Sequence, residues 1–206
     1  MKTEELPIKE QIIKTTKELL ILKGNITIKE IADAAFVNVA AINYHFGTKD
    51  NLVTIVIEQV VSELRNKIMQ EIKQVESSEA NFELIFMQMI EIIFKFSEAN
   101  VGIVKYAFLQ MATQSEATNI LIDFFILDNE FISMVLGQLA LLNPGASHEA
   151  LFSKYLILFS SFIVPFFISF SGTYPFFIKG EFKDKENFFD TYRNEYFKEL
   201  RKLLVS

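Results

Sequence analysis

The stretch from residue 27 to residue 52 constrains the fold most, because its local signals define two short helices. Thr27 is a preferred N-cap residue, and Glu30 three positions later completes a capping box. Asn38 is a second N-cap, and Gly47 is typical of a helix end. The apolar residues at helical spacing in the first helix are Ile28, Ile31, Ala32 and Ala35. Two short helices joined by a tight turn are typical of a helix-turn-helix unit.

The second of these helices has a surface that suits nucleic acid. Its small side chains would let the backbone approach base edges, and its polar ones supply hydrogen-bonding groups. The residues predicted to face DNA here are Asn38, Val39, Ala40, Ala41, Asn43, Tyr44 and His45. Lys49 begins the next helix, where backbone N–H groups favour a phosphate. The same pattern also fits a capped three-helix domain with no role in DNA binding.

A more specific pattern covers about a quarter of the chain. It consists of Ile31-Ala32, Ala35-Phe36-Val37-Asn38, Ile42-Asn43-Tyr44-His45-Phe46 and Lys49-Asp50-Asn51-Leu52. Residues 8–52 thereby resemble the N-terminal domain of the TetR family of one-component transcriptional repressors. The resemblance implies an operator duplex as partner, with the helix after Asn38 in its major groove. The phosphate contacts that we expect are Thr27, Lys29, Tyr44, Thr48 and Lys49.

Three features depart from that family pattern. Phe36 stands where the family usually has Gly, so we expect the turn to differ in conformation or packing. Asn43 replaces a frequent Tyr. The link from Gly24 to Ile31 is shorter than usual, which makes the phosphate contacts near Thr27 less secure.

The whole chain is predicted to be all-α, with about nine helices. Residues 1–48 are expected to form a three-helix DNA-binding domain, in which a first helix turns Ile8, Ile12, Leu19 and Leu20 inward. Residues 49–206 are expected to form a helical bundle for ligand binding and dimerisation. The further helices predicted are 49–75, 81–97, 103–114, 118–142, 148–171 and 184–204, with a loop at 172–182.

Charge limits how such a protein could bind DNA. The chain of 206 residues has a net charge of −6, and residues 1–50 contain seven Lys and seven acidic residues. Residues 1–50, here called the head, are neutral overall and attract DNA weakly. The affinity for DNA should therefore depend on dimerisation and on a few specific contacts. The chain contains no Cys and starts without the apolar run of a signal peptide, which fits a cytoplasmic protein.

The most apolar stretch, residues 151–170, has the length of a membrane span. Lys154, four Ser and Pro165 within it favour a helix buried in a core or an interface instead. In the TetR family the last two long helices pair with their copies, so the resemblance implies a homodimer through about 148–171 and 184–204. We expect no membrane partner.

The Phe-rich bundle predicted for residues 49–206, here called the body, could enclose a small hydrophobic effector. The same Phe residues could equally form an ordinary close-packed core. The candidate ligand-binding residues are Tyr106, Gln110, Gln138, Phe86, Met89 and Met134. The two His, His45 and His148, lie in different predicted domains, so we expect no catalytic site, no metal and no cofactor.

The sequence thus predicts a ligand-responsive homodimeric regulator, a repressor that binds a palindromic operator. Two alternatives stay open. One is a helical hydrophobe-binding protein whose head does not bind DNA, and the other is a DNA-binding dimer without an effector.

Overall fold

The structure is a computed structural model that describes residues 7–76, 82–110, 116–127, 129–170 and 185–204. These ranges contain ten helices and no strand, so the predicted all-α fold is confirmed. The helices are α1 (Ile8–Lys23), α2 (Ile28–Ala34), α3 (Val39–Phe46), α4 (Lys49–Glu76), α5 (Phe82–Ala99), α6 (Val101–Gln110), α7 (Glu116–Ile126), α8 (Asn129–Leu142), α9 (His148–Phe170) and α10 (Lys185–Leu204).

The chain divides into two compact units. They are Met1–Gln70 with Ile92–Ile126, and Glu71–Glu91 with Leu127–Ser206. The first unit therefore groups the three head helices with α6, α7 and parts of α4 and α5. The domain boundary predicted between residues 48 and 49 stays a prediction, because compactness alone does not locate a functional boundary.

Helix α1 buries a row of residues one turn apart, which are Ile12, Thr16 and Leu20. The Thr16 hydroxyl donates to the carbonyl of Ile12 at 2.7 Å, so this polar atom has a partner inside the core. The prediction that Ile8 faces inward was wrong, since its side chain is 53 % exposed. Ile8 lies one turn before Ile12 in the same row, but it is the first residue of α1. At this end of α1, the row extends beyond the helices that bury the rest of it.

Within the first unit, the end of α1 meets the backbone of α6. Gly24 ends α1 in the left-handed conformation, with φ 72°, and its N–H donates to the Leu20 carbonyl at 2.8 Å. A Cβ added to Gly102 would lie 2.0 Å from the Leu20 carbonyl oxygen and 2.3 Å from that of Ile21. Only glycine allows so close an approach, so Gly102 sets how tightly α6 packs on α1.

Helix α4 buries two adjacent rows in its first five turns. The buried residues are Leu52, Val53, Val56, Ile57, Val60, Val61, Leu64 and Ile68. The polar residues Gln59, Glu63 and Lys67 of the same helix are exposed. The Lys17 amine of α1 reaches the Glu63 carboxylate at 2.7 Å, which joins the two helices at their surface.

Two predicted boundaries in the middle of the chain were wrong. The gap between the predicted helices 81–97 and 103–114 is the single residue Asn100, whose side-chain amide donates to the Phe96 carbonyl at 2.9 Å. The helix predicted over 118–142 is two helices, with Leu127 in a turn between them. The loop predicted at 172–182 lies outside the described residues.

In the second unit, α9 packs against both α8 and α10. Its inner side buries Leu151, Tyr155 and Leu158, and the Tyr196 hydroxyl of α10 donates to the Leu158 carbonyl at 3.0 Å. Burial raises the pKa of the Tyr155 and Tyr196 hydroxyls well above their usual range. Both phenols are therefore neutral and act as packing and hydrogen-bonding groups.

The outer side of α9 is also apolar. Ile157 and Val164 lie seven residues apart, hence on one helix face, and are 50 % and 52 % exposed. Leu156 beside them is exposed as well. This side is the part of the predicted dimer helix that stays uncovered in a single chain.

Among the described residues, one stretch is long and apolar enough to cross a membrane. It is Asp123–Leu142, with a mean hydropathy of 1.5. A single such stretch is weak support for a membrane span, because core helices of water-soluble proteins meet the same criterion.

Candidate nucleic-acid interface

The ends of α2 and α3 are set by side chains that bond to the backbone. The Glu30 N–H donates to the Thr27 hydroxyl oxygen at 3.2 Å, and the Thr27 N–H donates to the Glu30 carboxylate at 2.8 Å. The Ala41 N–H donates to the side-chain oxygen of Asn38 at 2.7 Å. Both predicted N-caps are therefore confirmed, and each satisfies backbone donors that a helix leaves unpaired.

The turn between these helices is a Schellman motif. The Val37 N–H donates to the Ala32 carbonyl at 3.0 Å, and the Phe36 N–H donates to the Asp33 carbonyl at 3.3 Å. Phe36 occupies the left-handed position of this motif, with φ 54°, where glycine is the usual residue. A side chain in that conformation costs about 1 to 2 kcal/mol. The turn thus keeps the hydrogen bonds of a glycine turn, and the expected change is confined to strain at Phe36 and to its ring.

Helix α3 presents its predicted DNA-facing side to solvent. Ile42 and Phe46 are buried against the rest of the first unit, while Tyr44 is 84 % exposed. The other predicted α3 residues that are exposed are Ala40, Asn43 and His45, whereas Val39 and Ala41 are half-buried. The Tyr44 and His45 rings meet edge to face, with 5.1 Å between centroids. The small residues therefore lie at the start of the helix and the larger polar groups toward its end.

The amino end of α2 already holds a carboxylate. Glu30 accepts from the Thr27 N–H and hydroxyl, and the Lys23 amine lies 2.6 Å from it. The Lys23 amine and the Thr27 donors lower the pKa of Glu30 to about 2, so the group is ionised at neutral pH. A phosphate that approaches this helix end meets a negative charge, and the predicted contact of Thr27 has to share its hydroxyl with Glu30. The capping box was visible in the sequence, but the ion pair with Lys23 depends on how α1 and α2 pack.

Lys49 has a structural partner as well as a place at the interface. Its amine donates to the Ile26 carbonyl at 3.3 Å and lies 3.9 Å from the Asp50 carboxylate. Lys29, in the first turn of α2, is exposed. Thr48 is also exposed, and its hydroxyl accepts from the Asn51 N–H at 3.1 Å, which caps the start of α4. A phosphate contact by Lys49 would therefore compete with its bond to the link between α1 and α2.

The candidate ligand residues are shared between the two compact units. Tyr106 and Gln110 lie on α6 in the first unit. Those in the second unit are Phe86, Met89, Met134 and Gln138. Tyr106, Phe86 and Met89 are buried, and the other three are half-buried. Burial raises the pKa of the Tyr106 hydroxyl, and the negative charge of Asp50 adds to the effect, so this phenol is neutral.

Two further observations concern the body. Among the described residues, the buried side-chain atom without a hydrogen-bond partner is the carbonyl oxygen of Gln88 on α5. An open groove on α4 is lined by Glu58, Gln59, Ser62, Glu63 and Asn66. Its lining is polar and acidic, which does not match a hydrophobic effector. No group of three or more His, Asp or Glu within the described ranges could hold a metal ion.

Comparison with known proteins identifies the N-terminal segment. Residues 12–54 match the model of the family described as bacterial regulatory proteins, tetR family. No curated protein matches the chain significantly. The matched segment, about a fifth of the chain, contains most of α1, the whole of α2 and α3 with their caps, and the start of α4. Residues 12–54 therefore resemble the DNA-binding domain of the tetR family, which supports a transcriptional regulator of that type.

Proposed function

We propose that the protein is a homodimeric repressor that binds a palindromic operator and is released by a small hydrophobic effector. The observation that carries the proposal is the solvent-facing side of α3 within a capped helix-turn-helix unit. In this arrangement the solvent-facing side of Val39 to His45 enters the major groove. Phosphates are held by Thr27, Lys29, Tyr44, Thr48 and Lys49. A DNA-binding regulator of this kind acts in the cytoplasm.

Dimerisation is supported by charge and by the surface of α9. The first 50 residues are neutral overall, so one head lacks the positive charge that drives general DNA affinity. Two heads joined by a two-fold axis would bind two half-sites of one operator together. The exposed Ile157 and Val164 on α9 suit the dimer contact, which involves 148–171 and 184–204.

Effector control is supported by the contact between α1 and α6. Tyr106 and Gln110 lie on α6, and Gly102 on the same helix packs directly against the end of α1. An effector that shifts α6 would shift a head helix without an intermediate element. The effector must bind the two head arrangements with different affinity, because only that difference moves the equilibrium.

Selection of bound sequences from a random duplex pool tests the DNA-binding part. We expect a palindrome with half-sites about one or more helical turns apart. Recovery of no preferred sequence at low salt would contradict the proposal, and would favour a hydrophobe-binding protein whose head does not bind DNA.

Replacing Ala40 with Glu tests the placement of α3. Ala40 is exposed at the start of the helix, so a carboxylate there would face base edges and phosphates. We expect specific binding to be lost, measured by fluorescence anisotropy with the selected operator. Ala140→Glu adds the same charge at an exposed position of α8 and should bind like wild type. Retained operator affinity in the Ala40→Glu dimer would place α3 outside the groove.

A further inference from the structure

We propose that Phe36 is itself a DNA contact, whose ring packs against a deoxyribose or a thymine methyl at the edge of the major groove. The proposal rests on the proposed function, because it assigns one more residue to the same DNA-binding surface. It adds a large aromatic side chain to the small, polar and charged side chains assigned above.

The backbone at Phe36 is held in a conformation that does not favour its side chain. Both hydrogen bonds of the Schellman motif are present around it, and its φ of 54° lies in the left-handed region. Glycine would take this conformation without strain. Strain of this kind is found where a side chain has a role that the folded chain alone does not explain.

The ring contributes little to the stability of the fold. Phe36 is 91 % exposed, more than any other large apolar side chain among the described residues. Its neighbours in the turn behave differently, since Ala35 is buried and Val37 is half-buried. The position therefore combines a strained backbone with a large apolar surface left in water, and burial in a complex would offset both.

The place of Phe36 in the motif points to DNA as the occupant. In a helix-turn-helix unit the first helix crosses the DNA backbone, and the amino end of the second enters the major groove. Phe36 follows the last turn of α2 and precedes Asn38, the N-cap of α3. Phe36 thus belongs to the turn that, in such a unit, connects the helix at the sugar-phosphate backbone to the helix in the groove.

The charge of the head agrees with this assignment. Two lysines near the motif, Lys23 and Lys49, already have partners within the protein. Apolar contact with sugars and thymine methyls adds affinity without any positive charge. Because the head has no net positive charge, its affinity for DNA would benefit most from such an apolar contact.

The test uses the full-length protein and the operator selected by the wild type. Phe36→Ala removes the ring but leaves a strained side chain, whereas Phe36→Gly removes both the ring and the strain. We expect both to weaken operator binding by about tenfold or more, as loss of a buried Phe contact implies. The slope of affinity against salt should be unchanged, because no phosphate charge is involved. Phe36→Gly should also raise the melting temperature by a few degrees.

Leu22→Ala is the matched control. Leu22 is an apolar residue of α1 in the same unit and is 80 % exposed, so its loss removes similar surface away from the turn. It should bind the operator like wild type. Sedimentation of each variant at the concentrations used for binding checks that it is still a dimer.

Four results would overturn the assignment of Phe36. They are wild-type affinity of Phe36→Ala, wild-type affinity of Phe36→Gly, an equal loss in Leu22→Ala, and loss of the dimer in Phe36→Ala. The last would assign Phe36 to a contact between copies of the chain. Failure of the wild type to select any sequence would instead contradict the proposed function, so the two failures are distinguishable.

Discussion

The ends of α2 and α3 and the body of α9 are stabilised in contrasting ways. In the head, a capping box, an Asn cap, a Schellman turn and Gly47 terminate the helices through contacts between residues that are close in sequence. Helix α9 has 23 residues. At its start, the Ala150 N–H donates to the Ser147 hydroxyl at 3.3 Å. Apolar residues occur on its inner and outer sides. The head is therefore determined by local chemistry, and α9 by what packs against it.

The largest effect is expected at the contact between α1 and α6. This contact makes the stability of a head helix depend on Gly102, which is distant in sequence. Gly102→Ala should destabilise the first unit by about 3 kcal/mol, since its Cβ would lie 2.0 Å from a backbone oxygen. Gly137→Ala on α8 is the control. A Cβ there meets nothing within 4 Å, so we expect a gain of about 0.5 to 1 kcal/mol.

Urea denaturation followed by circular dichroism measures both variants. Equal effects of the two substitutions would show that helix propensity dominates and that the close approach is unimportant. An increase in stability for Gly102→Ala would contradict the packing of α6 on α1.

The outer side of α9 gives the second prediction. Ile157→Glu places a charge on the exposed apolar side, where a second subunit would bury it without a partner. We expect dimer dissociation to become at least about a hundredfold more favourable, as burial of an unpaired charge implies. Sedimentation velocity across a concentration series measures this change.

Ser160→Glu and Ser153→Glu map the extent of that contact. Both Ser residues are exposed on α9, Ser160 between Ile157 and Val164 and Ser153 one turn before Ile157. We expect Ser160→Glu to weaken the dimer and Ser153→Glu to weaken it less. A dimer that tolerates Ile157→Glu would assign the contact to another surface. The fold of α9 would then, like the helix ends of the head, not depend on a second subunit.

The smallest expected effect concerns pH and the local chemistry of the head. The pKa of Glu30 is about 2 in the folded state and about 4.5 as an ordinary carboxyl, so the folded state favours ionisation. Its contribution to stability is complete above pH 4.5 and is lost as the pH falls toward about 2. Because the group is exposed and its ion pair is screened by solvent, the effect should be modest.

Glu30→Gln isolates the charge, because Gln also completes a capping box. The wild type should melt at a higher temperature than this variant at pH 7, and the difference should shrink at pH 3. A difference that is independent of pH would show that the charge of Glu30, and its pair with Lys23, do not stabilise the head.

The sequence predicted the helix ends of the head well because each is decided within four residues. Thr27 with Glu30, Asn38 with Ala41, and Gly47 all behave as predicted. The exposed surface of α3 followed from the same pattern, since Ile42 and Phe46 fix which side is buried. The roles of individual residues at this surface stay predictions.

The errors lie where distant segments meet. Gly102 lies just before the helix predicted from residue 103, yet in the structure it is inside α6, where it allows contact with α1. Ile8 appeared to belong to the core because it continues the apolar row of α1. No local pattern could reveal the partner of Lys49, whose amine donates to the carbonyl of Ile26, 23 residues earlier in the chain.

The sequence by itself determined the all-α class, the capped helix-turn-helix unit and the likeness to the tetR family, because these depend on short-range spacing. The tertiary structure alone decided the strained conformation and exposure of Phe36, the ion pair of Lys23 with Glu30, and the packing of α6 on α1. Each of these depends on backbone angles or on distances between segments. Short-range sequence patterns do not reveal such quantities, because they are fixed only when the helices pack together.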